Sequence, residues 1–340
     1  MWLEFGIDPG LPLASVDGHA EIILVLWLSA LEDYLVGDPW GWLHPVQVMG
    51  WFIQTYTKLV LKLFSSGWQR RAAGIGLGTV TIIGSAIAGW AIVGICTQLN
   101  PIFGSIARVV LLASCFAGKS LRIAVKDVLE PIEQNNLVEA RSRLSQYVGR
   151  DTDNLDRREI YRALLETVAE NAVDGVTAPL FYAIAGSFTP IGAVPVALAY
   201  KAASTLDSMV GYLREPYKDL GWFSAQFEDF LTWSPCRLTV LTLSILSGKP
   251  GEIWQICRRD GTKDSSPNSG WSEAAYAAIL QVRLGGKNTY QGVIKEKPLL
   301  GEPIKPISEV EIDLALTLTR YCFLSWLAIA TLAHLIQSIE

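Results

Sequence analysis

Residues 72–107 read AAGIGLGTVTIIGSAIAGWAIVGICTQLNPIFGSIA, 36 consecutive positions without Asp, Glu, Lys or Arg. About 20 apolar residues suffice to cross the hydrocarbon core of a bilayer, so this stretch alone predicts an integral membrane protein. The turn signal Asn100-Pro101 divides it into one membrane segment over 74–98 and a second over 102–118, which must accommodate Arg108. Residues 321–339 are a 19-residue apolar run interrupted only by His334. Residues 175–200 also lack charge, but Pro179, Pro190 and Pro195 argue against one straight helix. A broken or re-entrant segment is expected there, its freed backbone groups covered by protein. The windows 20–36, which contains Glu32 and Asp33, and 230–248, which contains Arg237, complete the set. The expected architecture is all-α and polytopic, a single membrane-embedded domain over 1–340. Its polar stretches 119–174, 201–229 and 249–320 form long cytoplasmic helical loops.

Composition agrees with this class. Half of the 340 residues are hydrophobic and 18% are charged, where soluble proteins average about 25%, so disorder is excluded. A formal net charge of -5 argues against nucleic acid as a partner. The cysteines at 96, 115, 236, 257 and 322 show no CxxC or His-paired spacing and read as buried apolar residues. No Lys or Arg precedes Lys58, while Glu4, Asp8, Asp17 and Glu21 make the N-terminus acidic, which is not a signal peptide and belongs outside. Residues 119–174 and 249–305 carry nine Lys or Arg each, so the positive-inside bias places both in the cytoplasm. The expected location is the cell (inner) membrane, multi-pass, with the active site facing the cytoplasm.

The polar stretches carry more pattern than connectors need. Leu137, Ala140, Leu144 and Val148 mark a helix, followed by the break Gly149-Arg150-Asp151-Thr152. A second helix is predicted from the N-cap Asp156, with Glu159 three positions on, through about Val173. On it Glu166, Glu170 and Asp174 fall at i, i+4 and i+8, sharing one face with Asn171 beside them and no basic residue interleaved. Such a stack repels itself unless a cation offsets it. A divalent metal suits it, since Mg2+ takes one or two carboxylates together with phosphate oxygens and water. A solvated helix face is the other reading. The apolar segment that follows tips the balance, because unpaired carboxylates are costly at a membrane boundary.

Further candidates flank this helix. Asp207, Tyr212 and Arg214 offer an acceptor, a stacking hydroxyl and an anion fork. Ser266-Pro267-Asn268-Ser269-Gly270 is turn chemistry, which from its residues alone reads first as a plain structural turn and second as an anion site, with Glu273 in the following first helical turn and Arg283-Leu284-Gly285-Gly286 beyond. Gly37-Asp38-Pro39 and His44-Pro45 form a loop after the first apolar window. Gly118-Lys119-Ser120 is no P-loop, because Ala113 stands where its first glycine is required. An enzyme of phosphorylated substrates places such residues in loops, whereas a transporter needs ionisable groups inside its spans. The clean spans are nearly charge-free, which favours the enzyme.

In order along the chain, Gly37-Asp38-Pro39 with His44-Pro45-Val46, Val148-Gly149-Arg150-Asp151-Thr152, Glu166 to Asn171 with Val173 to Val176 and Pro179 to Tyr182, Thr205 to Tyr212, and Ser266-Pro267-Asn268 with Glu273 and Val282 to Gly286 resemble the CobD/CbiB family of cobalamin biosynthesis, the adenosylcobinamide-phosphate synthases. The likeness runs from about residue 24 to 290. Ser204 and Ser272 depart from it, standing where Asn and Pro are expected, and residues 291–320 are poorly matched and receive no role.

The resemblance implies an ATP-dependent, amide-forming membrane ligase. Its substrates would be adenosylcobyric acid and (R)-1-aminopropan-2-ol or its O-phosphate, its product adenosylcobinamide or the phosphate. The acid must be activated, as in an acyl phosphate, and the ammonium must lose a proton. Glu166, Glu170 and Asp174 are then expected on Mg2+ and nucleotide phosphates, Asn171 orienting the carboxylate and Asp207 acting as base. Arg150, Arg214 and Arg283 would hold anions. Asp151, Tyr212, Asn268 and Glu273 complete the binding set, with Asp38 and His44 at its edge. Membrane lipid, late-pathway corrinoid enzymes and a second copy of the chain are the expected partners. A corrinoid transporter and a membrane sensor or regulator remain the alternatives.

Overall fold

The computed structural model describes residues 16–37, 44–212 and 214–339. Helices α1 (Val16–Leu35), α2 (Pro45–Leu63), α3 (Gly67–Leu99), α4 (Pro101–Ala113), α5 (Gly118–Glu133) and α6 (Leu137–Leu144) lead into α7 (Arg157–Asn171), which continues as a π-helical turn, Ala172–Thr177. Next come α8 (Ala178–Ser187), α9 (Ala193–Val210), the short α10 (Tyr217–Leu220), α11 (Trp222–Leu246), α12 (Pro250–Asp260) and α13 (Ser269–Leu280). An antiparallel hairpin of β1 (Arg283–Tyr290) and β2 (Val293–Gly301) precedes α14 (Glu309–Gln337).

The fold is predominantly helical, as expected, and the hairpin is the one departure from all-α among the described residues. It lies where a helical loop was predicted over 249–320, and its cause is local. Gln291 and Gly292, both with positive φ (50° and 77°), make the tight turn that returns Val293 onto Tyr290.

Among the described residues, α3 and α14 are long and apolar enough to cross a membrane, and α4 with α5, bent by 40°, forms a third, broken candidate. They overlap the segments expected at 74–98, 321–339 and 102–118. The windows 20–36 and 230–248 overlap α1 and α11, neither of which meets the same test of length and hydropathy. Residues 175–200 are broken, as their prolines require: α8 ends at Ser187, α9 begins at Ala193, and Pro190 lies in the gap. Pro195 falls in the first turn of α9, where the missing N–H removes no bond, and Pro179 follows closely on the π-helical turn.

The outward face of α3, with Ile83, Ile87, Trp90 and Ile95 exposed, is the surface a hydrocarbon solvent would cover. Its inner face is cut back to glycine. A Cβ on Gly74 would lie 2.0 Å from the Leu220 carbonyl oxygen, so only glycine lets the segment after α9 approach this closely. The buried core runs through α7, α9, α11, α13 and α14, with Leu164, Leu165, Tyr200 and Tyr276 fully enclosed.

Candidate active site

The site is assembled on α7. Asp156 caps this helix, its Oδ1 accepting from the Glu159 amide at 2.9 Å, as its position before the apolar periodicity predicts. The regular α-helix stops at Asn171. The π-helical turn then widens the backbone, so Asp174 does not continue the stripe that an uninterrupted α-helix through Val173 would give.

Glu166 is 2% exposed and fully engaged. Its Oε1 accepts from Arg162 Nη1 and from the Gly285 amide, both at 2.9 Å, and its Oε2 accepts from Arg150. Arg162 also donates to the Gly285 carbonyl at 2.8 Å and to Asn288 Oδ1 at 2.8 Å, while Arg150 reaches the same Asn288 oxygen at 2.9 Å. This knot fastens the hairpin and the 149–151 turn to α7. Gly285, at φ 82°, adopts a conformation open to glycine, and it brings both its amide and its carbonyl to the knot. Burial pushes the Glu166 carboxyl up, but Arg150, Arg162 and Lys297 outweigh it and hold the group below the usual carboxylate range.

Beside the knot lies a cleft of about 210 Å³ walled by Tyr147, Arg150, Glu166, Thr167, Glu170, Asn171, Glu273, Tyr290 and Lys297. Five predicted residues thus converge: Arg150, Glu166, Glu170, Asn171 and Glu273. Glu170 opens to solvent through the cleft mouth, yet the surrounding protein pushes its carboxyl up, Lys297 and Arg150 opposing and Asp264 and Glu166 adding to the rise. Glu273 is 0% exposed. Its Oε1 accepts from Lys297 Nζ at 3.0 Å, and its Oε2 has no hydrogen-bond partner, which is costly for a buried carboxylate. At Lys297 burial opposes the charge, but Glu273, Glu166 and Asp264 prevail and hold the ammonium protonated.

A second acidic group adjoins Glu170. Burial pushes Asp174 well up, and Glu228, Glu170, Asp207 and Asp229 push it further. Asp207, near the C-terminal end of α9, is raised to about 7 by burial, Asp229 and Glu170. Among the described residues no three His, Cys, Asp or Glu side chains converge as a protein-only metal cage.

Other expected residues stand elsewhere. Asp151 serves the hairpin turn, its two oxygens accepting from the Gln291 and Gly292 amides at 2.9 and 2.8 Å. Asn268 binds α11 through the Asp229 carbonyl at 2.9 Å, with Arg237 donating to its Oδ1 at 3.3 Å. Tyr212 and Arg214 pack on each other beyond α9, guanidinium carbon to ring centroid 5.2 Å. Arg283 lines a separate cleft of about 450 Å³ with Arg158, Lys287 and Lys305. His44 caps α2, accepting from the Val46 amide at 3.3 Å. Asp38 lies outside the described residues.

Lys297 and Tyr290 escape the sequence reading because they come from the hairpin, within or beside the stretch given no role. The available signal was Gln291-Gly292 between Thr289-Tyr290 and Val293-Ile294, a turn between β-prone pairs. Glu228-Asp229, an acidic pair at the edge of an apolar window, was a second.

Fold and site together define a predominantly helical protein, with helices suited to crossing a membrane and a charged cleft built outside them. The chain belongs to the CobD/CbiB family: residues 26–319 match the family described as CobD/Cbib protein. It is 53% identical to the cobalamin biosynthesis protein CobD of Synechocystis sp., covering 94% of this chain and 92% of that one. It is 41% identical to CobD of Halalkalibacterium halodurans, over 90% and 94% of the two chains. Against the cobalamin biosynthesis protein CbiB of Salmonella typhimurium the identity is 38%, over 92% and 95%. No solved structure matches.

Proposed function

We propose that this protein is the amide-forming ligase of cobalamin biosynthesis that joins adenosylcobyric acid to (R)-1-aminopropan-2-ol or its O-phosphate, at a cytoplasmic face of the membrane and with ATP as energy source. The observation that carries the reading is the pairing of opposite valences in one small cleft. Lys297 keeps ammonium donors beyond the one spent on Glu273, while Glu273 Oε2 and Glu170 are acceptors without a guanidinium of their own. One substrate of this reaction brings a carboxylate and the other an ammonium, and a cleft for both needs both signs of charge.

The donor set fits Mg-ATP in a particular way. Glu166 is committed to Arg150 and Arg162, which leaves Glu170 and Asp174 as the carboxylates for Mg2+. Two carboxylates, with phosphate oxygens and water, make the set that Mg2+ favours; burial raises both Glu170 and Asp174, and the carboxylates that add to the rise, Asp264 and Glu166 at Glu170 and Glu228 and Glu170 at Asp174, are charge that a cation would offset. When bound, Mg-ATP supplies the activation of the acid. Arg150 and Lys297 then hold anionic groups at the cleft, Asn171 orients the carboxylate, and Asp207, with a pKa near neutrality, accepts a proton from the ammonium.

The test is the protein in lipid vesicles with adenosylcobyric acid, Mg-ATP and each amine, following the corrinoid mass. A mass gain matching amide formation, dependent on ATP and on one amine, is expected, and Glu170→Gln should lower turnover by roughly 10²-fold or more. A corrinoid that stays unchanged with both amines, or only accumulates inside the vesicles, sinks the ligase. Near-normal turnover of Glu170→Gln at limiting Mg2+ sinks the metal assignment.

A further inference from the structure

A cavity of about 240 Å³ opens between α1, α5, the π-helical turn and α14, and shares no lining residue with the cleft described above. Its wall is apolar, formed by Trp27, Leu31, Phe323 and Leu324 among others, and three of these four are more than a third exposed at the surface. Its rim carries two guanidinium groups. Arg122 and Arg320 lie 4.3 and 4.9 Å from the centroid of the same ring, that of Tyr34. Arg122 donates to the Tyr34 carbonyl at 2.9 Å and Arg320 to the Tyr34 hydroxyl at 3.2 Å. Neither closes an ion pair among the described residues. Asp33 is the one carboxylate in the lining; its field reaches Arg122, and its Oδ1 also accepts from the Lys119 amide at 3.4 Å. Two cations against one acid leave the rim positive.

Position along the chain says what faces this rim. Arg320 is the last charged residue before the apolar run 321–339 of α14. Arg122 follows shortly after the bend that separates α4 from α5. Both stand where apolar sequence gives way to charge, at the depth of lipid headgroups. Each guanidinium gives one hydrogen bond to Tyr34, which leaves donors on both for a phosphate. A soluble phosphate would need that rim alone, whereas the adjoining apolar wall adds the surface an acyl chain would take. Basic pockets between membrane helices have this chemistry.

We propose that this cavity binds an anionic phospholipid of the surrounding bilayer, its phosphate between Arg122 and Arg320 and the start of an acyl chain along Trp27, Leu31 and Leu324. The site tethers α1 to α14, and it is independent of the ligase reading because its test measures lipid retention.

The full-length protein is placed in neutral detergent with equal amounts of phosphatidylglycerol and phosphatidylcholine of the same acyl chains, and retained lipid is read by native mass spectrometry. Phosphatidylglycerol should be retained in preference, by about fivefold for each guanidinium engaged. Arg122→Gln with Arg320→Gln should abolish the preference, while Arg143→Gln, a surface cation elsewhere, should leave it intact. Equal retention of both lipids by the parent overturns the proposal, as does a preference that survives the double variant. Glycerol phosphate that displaces the lipid at equal concentration would show a site for soluble phosphate, which also overturns it. Should the double variant fail to fold, Leu324→Trp fills the cavity and spares both arginines; undiminished phosphatidylglycerol retention there is equally fatal.

Discussion

Glu166 and Glu170 stand one turn apart on α7 and meet opposite surroundings. Arg162, from the same helix, and Arg150, from the turn before it, converge on Glu166, and the Gly285 amide completes its shell. Glu170 receives no such partner. Replacing Glu166 by Gln keeps the size and removes the charge, leaving two guanidiniums facing each other in a buried site. Breaking a buried pair from one side costs about 3–5 kcal/mol, so Glu166→Gln should lower the thermal unfolding midpoint in detergent steeply. Glu139→Gln, which loses only an exposed pair with Arg143, should lie within about 1 kcal/mol of the parent. A Glu166→Gln midpoint equal to the parent's would show that the knot does not hold the hairpin to α7. Residue spacing could place both carboxylates on one face but could not divide their roles, because Arg150 and Gly285 reach that face only through the tertiary fold. The same limit hid Lys297, which reaches Glu273 only once β2 has turned back.

At the scale of the element, what was legible was whatever periodicity and composition alone determine. The charge-free runs gave α3 and α14, the three prolines gave the break between α8 and α9, and Asp156 gave the start of α7. The hairpin was not legible as a sheet, since two strands lack the repeated alternation that a larger sheet shows, and its stability comes from Arg162, Asp151 and Glu166 bonding across to it. The π-helical turn at 172–177 was hidden too, because an α-helical wheel assumes a constant angle. Glycine use in α3 makes an element-level prediction of opposite signs. At Gly84 a Cβ meets nothing within 4 Å, so Gly84→Ala gains helix propensity and should be neutral or stabilising by up to about 1 kcal/mol. At Gly74 the new Cβ would meet the Leu220 carbonyl, a backbone group that cannot swing aside, so Gly74→Ala should destabilise by about 1–3 kcal/mol. Unfolding midpoints of the two variants under one condition decide it; two shifts of the same sign would mean that α3 does not pack on the segment around Leu220 as described.

Across the whole molecule the carboxylates near the site divide into Glu166, which two guanidiniums hold low, and several that burial pushes up. Glu166 is held low; Asp207 is raised to about 7, and Glu170 and Asp174 are raised as well. The signs are opposite in consequence. A raised carboxyl binds its proton more tightly in the folded protein, so its contribution is complete below the unfolded value near 3.8 for Asp and is lost as pH rises toward the folded one. For Asp207 that window runs from about 4 to about 7. Glu166 acts the other way, stabilising above the unfolded value of 4.5 and losing that contribution as pH falls through its lower folded value. The metal-free protein should therefore be most stable at about pH 4 to 5, where the Glu166 contribution is nearly complete and the loss at the raised carboxyls has only begun, and its midpoint should fall by a few degrees on going to pH 8. Asp207→Asn removes one raised group and should flatten that fall, and Mg2+ with a nucleotide should recover part of it by offsetting the charge on Glu170 and Asp174. A midpoint that climbs steadily from pH 5 to pH 8 would mean that the acidic group is already neutralised within the fold, which would remove the physical reason for bringing a cation to it.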